Sequence, residues 1–306
     1  MTRPFCVCVP ARNEAGRIAA LIEALSAQKG VGAVRLALLV NNSDDGTAAI
    51  ARSAAARTGG SVRLQLEERV FAPREAHAGS ARRAAMTLGA GWLDEDHGLL
   101  IATDADCRPP PGWIAANLAA ARADHIVGGA IMLDARELVP VEVLAIRAAL
   151  DTYWRSVRRI EDAIDPLPWD PPPRHGDHTG ASLALDIGLY RRAGGVPRLA
   201  TGEDRALVAN AIGANGRLVH PLSVWTRTSA RNLGRAAGGM AEDMCRWQHL
   251  ASSGKPLLVP DLRHWRERAQ WRRAWRAAHG DSAVPAAEAA FGPMPSDSEL
   301  NWKRAA

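Results

Sequence analysis

The run Leu99-Leu100-Ile101-Ala102-Thr103-Asp104-Ala105-Asp106 carries an apolar stretch into two carboxylates one residue apart. In an extended chain, residues two apart point to the same side, so both carboxylates face one direction. Two hard oxygen ligands at a strand end suit Mg2+ or Mn2+, which keeps several waters and bridges to substrate phosphates. Asp-x-Asp also occurs in ordinary solvated turns. The position between a buried strand and the turn Pro109-Pro110-Pro111-Gly112 favours the metal reading. A second acidic pair stands at Thr201-Gly202-Glu203-Asp204-Arg205, where a helix begins. The positive end of a helix stabilises an ionised carboxylate, so either residue would stay deprotonated at neutral pH and be able to act as a base. Simple capping with a surface ion pair is the alternative.

Two more polar loops follow predicted strands. Pro10-Ala11-Arg12-Asn13-Glu14 opens a helix whose backbone amides favour an anion, or is merely capped by Asn13 with Glu14 complementing the dipole. Asn41-Asn42-Ser43-Asp44-Asp45-Gly46-Thr47 again sets polar side chains at a helix start.

Elements must place these groups. Residues 5–9, 34–40, 62–66, 98–103 and 126–133 read as buried strands, and Glu14–Gln28, Thr47–Arg57, Ala76–Trp92 and Gly112–Arg122 carry apolar residues at helical spacing. Such alternation predicts an α/β fold with a mostly parallel sheet flanked by helices, and ligands bind at the carboxyl ends of its strands. Further on come a helical stretch from Leu138 to Val157 and the proline-rich Asp165–Arg174, a spacer or a semi-rigid wall. A strand near 181–185, a helix from Glu203 to about Ala214 and a strand near 217–225 follow. The last 70 residues read as helical, with a frayed tail beyond about 280.

Composition bounds the function. The chain has 306 residues, 47% hydrophobic and 23% charged, enough for a sizeable core. Lysine occurs only at Lys29, Lys255 and Lys303, so the basic side chains are mostly arginine. The net charge of +5 is spread along the chain without interleaved aromatics, which argues against nucleic acid. Cysteines at 6, 8, 107 and 245 have neither zinc nor disulfide spacing, and a reducing cytoplasm is the expected compartment. Cys6 and Cys8 alternate on one strand and share a face as packing. The apolar start Phe5–Val9 is too short for a signal peptide, and no segment approaches the ~20 apolar residues of a membrane span. Peripheral membrane contact stays open.

Together, Pro10–Glu14, Asn42–Thr47, Gly79-Ser80-Ala81-Arg82, Thr103–Asp106, Thr179-Gly180-Ala181-Ser182 and Gly202-Glu203-Asp204 resemble, in order and approximate spacing, family 2 glycosyltransferases of the GT-A fold. The resemblance spans about residues 4 to 230. It implies a hexosyltransferase using a UDP- or GDP-linked sugar donor, Mn2+ or Mg2+ and an unidentified acceptor. It also implies a catalytic domain over 1–232, divided into a nucleotide-sugar half (1–135) and an acceptor-side half (136–232), with a helical extension over 233–306. Pro10, Arg12, Asn13, Glu14, Asn42, Asp44, Asp45, Gly79 and Arg82 would hold the nucleotide. Asp104 would reach ribose or metal, Asp106 would bind the metal, and Thr179–Ser182 would line the acceptor side. Asp204 would be the general base with Glu203 beside it, giving in-line displacement with inversion.

Several residues depart from that pattern or extend it. Family members often read the nucleobase with an aspartate where this chain has Asn41-Asn42. Asp243-Met-Cys-Arg246-Trp247 resembles the Gln-x-x-Arg-Trp box of processive synthases with aspartate for glutamine, and reads as a helix with a packed tryptophan. His220 is a candidate third metal ligand or a structural histidine. Arg227 and Arg231 are candidates to clamp a diphosphate, with Gly234 and Gly238-Gly239 permitting loop movement, and His178 is a candidate to reach acceptor or metal. The rival readings are a nucleotidyltransferase, which would want a glycine-rich loop after the first strand, and a non-catalytic sugar-nucleotide-binding or scaffold protein on the same fold. A dinucleotide-binding enzyme is disfavoured because G-x-G-x-x-G is absent there.

Overall fold

The computed structural model describes residues 3–93, 97–231 and 239–303. In chain order the elements are β1 (Phe5–Ala11), α1 (Ile18–Ser26), β2 (Val34–Asn41), α2 (Thr47–Ala56), β3 (Val62–Arg69), α3 (Ala78–Leu93), β4 (Leu99–Ala102), β5 (Cys107–Arg108), α4 (Trp113–Ala120), β6 (His125–Gly128) and β7 (Ala130–Leu133). Then follow α5 (Val141–Ile164), β8 (Leu183–Asp186), α6 (Ile187–Arg192), α7 (Glu203–Gly213), β9 (Arg217–Val219), β10 (Trp225–Thr228), α8 (Met240–Ser253), β11 (Leu257–Val259), α9 (Leu262–His279), α10 (Val284–Glu288) and β12 (Ser298–Leu300). Two compact units emerge, Met1–Asp134 with Asp177–Ser229, and Ala135–Gly176 with Ala230–Ala306. Compactness thus divides the chain elsewhere than at residue 232, and residues 136–232 are shared between the units.

The first unit is built on a seven-stranded sheet in the order β3-β2-β1-β4-β8-β6-β9. Its first four strands are mutually parallel, and β8 runs antiparallel to both neighbours. The near-continuous apolar sequences of β1, β2 and β4 suit strands covered on both faces. Cys6 and Cys8 lie on one face of β1, fully buried with Ala37, Leu39, Ala85 and Met86. Cys8 in particular is a buried thiol whose pKa is raised by its hydrogen bond with Cys6 and by burial. The helix α3 comes so close that a Cβ on Gly89 would stand 2.4 Å from the Cys8 sulfur.

Two predicted strands are each divided. The run 126–133 breaks between β6 and β7 at Gly129, where a Cβ would meet Ser182 Oγ at 2.1 Å, and the chain crosses there from the large sheet to a small one of order β5-β10-β7. The run 217–225 breaks at a His220–Val224 turn closed by Val224 N–H donating to Pro221 O at 3.0 Å. Also, α1 begins at Ile18 rather than Glu14, because Asn13 takes a positive φ of 52° and Glu14 O closes a turn on Arg17 and Ile18.

The second unit has an ionic interior. On α5, buried Glu161 accepts from Arg158 at 2.7 Å and from Arg272 at 2.8 Å, and Arg272 also binds Glu288. Arg174 donates to Asp162 at 2.8 Å and contacts buried Asp170 at 3.4 Å, so the end of the proline-rich segment is tied to α5 and back onto the segment itself. Trp265 donates to the Tyr153 hydroxyl, which donates to Pro260 O, both at 2.6 Å. Trp247 is buried on α8, as its helix position leads one to expect. Between residues 281 and 303 regular elements form where fraying was expected: α10, and β12 paired antiparallel with β11. Among the described residues, no helix is long and apolar enough to cross a membrane.

Overpacking a close-packed core costs about 1–3 kcal/mol. Gly89→Val is therefore expected to lower the unfolding free energy, read from the urea midpoint and slope, by an amount in that range, with Gly89→Ala milder because alanine favours helix. An unchanged midpoint for Gly89→Val would contradict this packing.

Candidate active site

The carboxylates after β4 are gathered by a turn, not by strand alternation. Thr103 is fully buried, donates its hydroxyl to Ala181 O at 2.8 Å, and ends the strand. Cys107 N–H then donates to Asp104 O at 3.1 Å, folding Asp104 and Asp106 together. Carboxylate oxygens of both and the Cys107 sulfur fall within 4.8 Å of one another, a set able to surround one cation. Burial first, then the charges of Asp104 and Asp106, push the Cys107 thiol far up, so it remains a neutral thiol. That leaves two hard, half-buried oxygen donors, a fit for Mg2+ or Mn2+ completed by water and phosphate rather than for a soft metal.

Arg82 organises the rest. It is 6% exposed, and its three nitrogens take separate acceptors: Asp104 Oδ1 at 2.9 Å, Glu203 Oε1 at 3.1 Å and Gly180 O at 2.9 Å. Burial works against its charge, yet Asp104 and Glu203 overcome this and hold its pKa above the ordinary value. A Cβ on Gly180 would lie 2.2 Å from the Arg82 Cζ, so glycine is required by the guanidinium itself. Gly79, one turn before Arg82, lacks a side chain for a similar reason: a Cβ would strike the Leu199 backbone at 2.4 Å.

Glu203 and Asp204 begin α7 after Gly202, whose φ of 73° turns the chain. They are neighbours with different surroundings. Glu203 is 5% exposed and bound to Arg82, whereas Asp204 is half-buried and accepts Gly180 N–H at 2.9 Å and Arg205 N–H at 2.7 Å. Asp104, Glu203 and Asp204 therefore converge on Arg82 and Gly180. In the Thr179–Ser182 segment, Thr179 is exposed while Ser182 is buried and accepts from Trp113 Nε1 at 3.0 Å.

The two loops beside β1 and β2 are stitched together. Asn13 N–H donates to Ser43 Oγ at 2.9 Å, Asn13 Oδ1 accepts Asp44 N–H at 3.0 Å, and Glu14 N–H donates to Thr47 Oγ1 at 2.8 Å. Asp45 accepts from Ala15 N–H and from Thr47, and although burial opposes it, these hydrogen bonds hold its carboxyl below the usual range. Asn42 binds the Phe71 backbone with both ends of its amide, at 2.9 and 3.1 Å. The groups these loops leave open to a ligand are the exposed Asp44 carboxylate and Arg12, which reaches Ala76 O at 3.3 Å. Pro10 is in register with Leu39 on β2, one residue before the last pair of β1, Ala11 with Val40.

The structure does not bring His220 into the cation-sized group. It is 5% exposed, and its Nε2 lies 3.4 Å from His178 Nδ1. Arg231 belongs to the second compact unit, and Gly234 and Gly238 fall outside the described residues. A cavity of about 790 Å3 runs along β3 and α3, lined by Glu67, Arg69, Arg83 and Arg198 among others, and includes none of the carboxylates of the site. Sequence reasoning missed Arg82's burial, which was legible in Ala78, Ala81, Ala85 and Met86 at helical spacing around it.

Residues 6–139 match the family model described as Glycosyl transferase family 2. No curated protein sequence matches the chain. The mannosyltransferase PcManGT from Pyrobaculum calidifontis, solved in complex with GDP-Man and Mn2+, is 21% identical, covering 97% of this chain and 78% of that one at a TM-score of 0.50. S. aureus TarS 1–349, solved in complex with UDP-GlcNAc, is 14% identical, covering 90% and 74% at a TM-score of 0.52. At such identities the likeness is one of fold: a mixed α/β GT-A architecture with a mostly parallel sheet, as the sequence leads one to expect.

Removing one member of a buried ion pair costs about 3–5 kcal/mol, because the other charge is left without its partner. Arg82→Met is expected to reduce stability to urea by that amount, and Arg82→Met with Glu203→Met to recover part of it. Equal losses in the single and double variants would exclude a buried pair.

Proposed function

We propose, from the family 2 match over residues 6–139 and the convergence of Asp104, Glu203 and Asp204 on Arg82, that this chain is a metal-dependent glycosyltransferase. Its donor is a sugar linked to UDP or GDP and its acceptor presents a hydroxyl. Asp104 and Asp106 would hold Mn2+ or Mg2+, which would supply charge neutralisation for the diphosphate leaving group. Asp44 and Arg12 are the loop groups offered to the nucleotide.

Asp204 is the base. Its half-buried carboxylate accepts the Gly180 and Arg205 backbone N–H groups and retains lone pairs for an acceptor O–H. Glu203 is held in Arg82's grip and positions rather than reacts. Asp204 takes the proton as the acceptor oxygen attacks the anomeric carbon and the bond to the diphosphate breaks, which inverts that carbon. The observation carrying this reading is Asp104 of the acidic turn and Glu203 of the acidic helix start held on one buried guanidinium, with Asp204 beside them on Gly180 N–H.

Thermal shift with UDP and GDP, each with and without Mn2+, is the first test, since a ligand of the folded state raises the melting temperature. Asp106→Asn is expected to abolish the metal-dependent part of the shift. Asp204→Asn is expected to keep that shift while losing turnover by about 10²–10⁴-fold. A product with the donor's anomeric configuration, by NMR, would rule out inversion.

A further inference from the structure

The reaction above leaves Trp225 and Arg227 without a role. On the small sheet, Thr226 and Thr228 are buried with Ile131 and Cys107. The alternate residues form the other face: Arg227 is in register with Arg108 on β5 and with Met132 on β7, and Trp225 with Ala130. Met132 is 52% exposed, so this face is open. The Arg227 guanidinium lies over the Trp225 ring, 4.6 Å from its centroid. Stacking fixes the cation while leaving the N–H groups in its plane available.

The two arginines differ in charge balance. Arg108 is neutralised by Asp134, which accepts from its Nε at 2.7 Å and from a second nitrogen. Among the described residues, no carboxylate pairs with Arg227. The ledge also adjoins the chemistry, since Arg227's partner Arg108 is two residues beyond Asp106. Its edge is therefore cationic beside an apolar surface of Trp225 and Met132, next to a site whose other charges are mostly carboxylates.

We propose that this ledge is an acceptor subsite, and that the acceptor carries a phosphate close to a sugar ring. The phosphate takes the in-plane N–H groups of Arg227, and the ring lies on Trp225 and Met132. The inference rests on the glycosyltransferase reading.

The test uses the full chain, saturated with whichever of UDP or GDP binds in the presence of Mg2+, and titrates glucose 6-phosphate and glucose as probes by calorimetry. Wild type is expected to bind glucose 6-phosphate at least tenfold more tightly than glucose. Arg227→Gln is expected to erase that preference with the melting temperature and nucleotide affinity unchanged, and Arg227→Lys to keep part of it. Met132→Glu, which sets a carboxylate beside Arg227, is expected to erase it as well and serves if Arg227→Gln does not fold. Equal binding of the two probes by wild type would overturn the subsite. So would a loss of nucleotide affinity in Arg227→Gln as large as the loss for glucose 6-phosphate, because the arginine would then be holding the donor. If wild type binds neither nucleotide with Mg2+, the glycosyltransferase reading itself falls, and the subsite with it.

Discussion

A guanidinium in the interior is costly unless every nitrogen has an acceptor and the charge is balanced. Arg82 meets both conditions only because three distant segments close on it: Asp104 after β4, Gly180 before β8, and Glu203 at the start of α7. None of these segments is near another in sequence, so the cation acts as the assembly point of the site. The same constraint explains why residue 180 is glycine and why Gly180 N–H is left facing Asp204. The position of Asp204, the proposed base, is thus a second consequence of where the cation sits.

Engagement of Arg82 also shifts recognition elsewhere. Its nitrogens serve the protein, as do both ends of the Asn42 amide and the Asp45 carboxylate. Asn13 and Asn42 tolerate positive φ, at 52° and 45°, because a short amide side chain is among the few that fit that region. Asn13 ties the loop after β1 to the loop after β2, and Asn42 ties the end of β2 to the Phe71 backbone. Under the proposed function, these ties would help to position the donor against its attacking partner.

Much of this was legible in the sequence, and the remainder has a common reason for being hidden. The alternation of apolar runs with helical spacing revealed the sheet, and the apolar run into Asp104 and Asp106 revealed the acidic turn, because both are encoded within a few residues. Partnerships across a hundred residues are not. Nothing local announces that Arg82 binds Glu203, or that Arg272 binds Glu161. Nor does a strand pattern show where a chain changes sheets. Gly128-Gly129 was the available sign, since paired glycines in an apolar run mark close backbone approach. The tail beyond 280 misled for the same cause: its composition is that of a loose end, while β12 gains its order from pairing with β11.

The charge inventory connects structure to chemistry. Asp104, Asp106, Glu203 and Asp204 are four carboxylates, and the buried Arg82 pairs with two of them, Asp104 and Glu203. A diphosphate entering alone meets like charge, and at an effective dielectric of 20 each pair of unit charges 4 Å apart is worth roughly 4 kcal/mol. Under the proposed function, a divalent ion held by Asp104 and Asp106 would supply the opposite charge that lets the diphosphate approach. Glu203, buried against Arg82, would then be kept from competing for the ion, leaving its neighbour Asp204 as the carboxylate for the acceptor. Adjacent residues on one helix turn thereby take different tasks, divided by which of them the buried cation reaches.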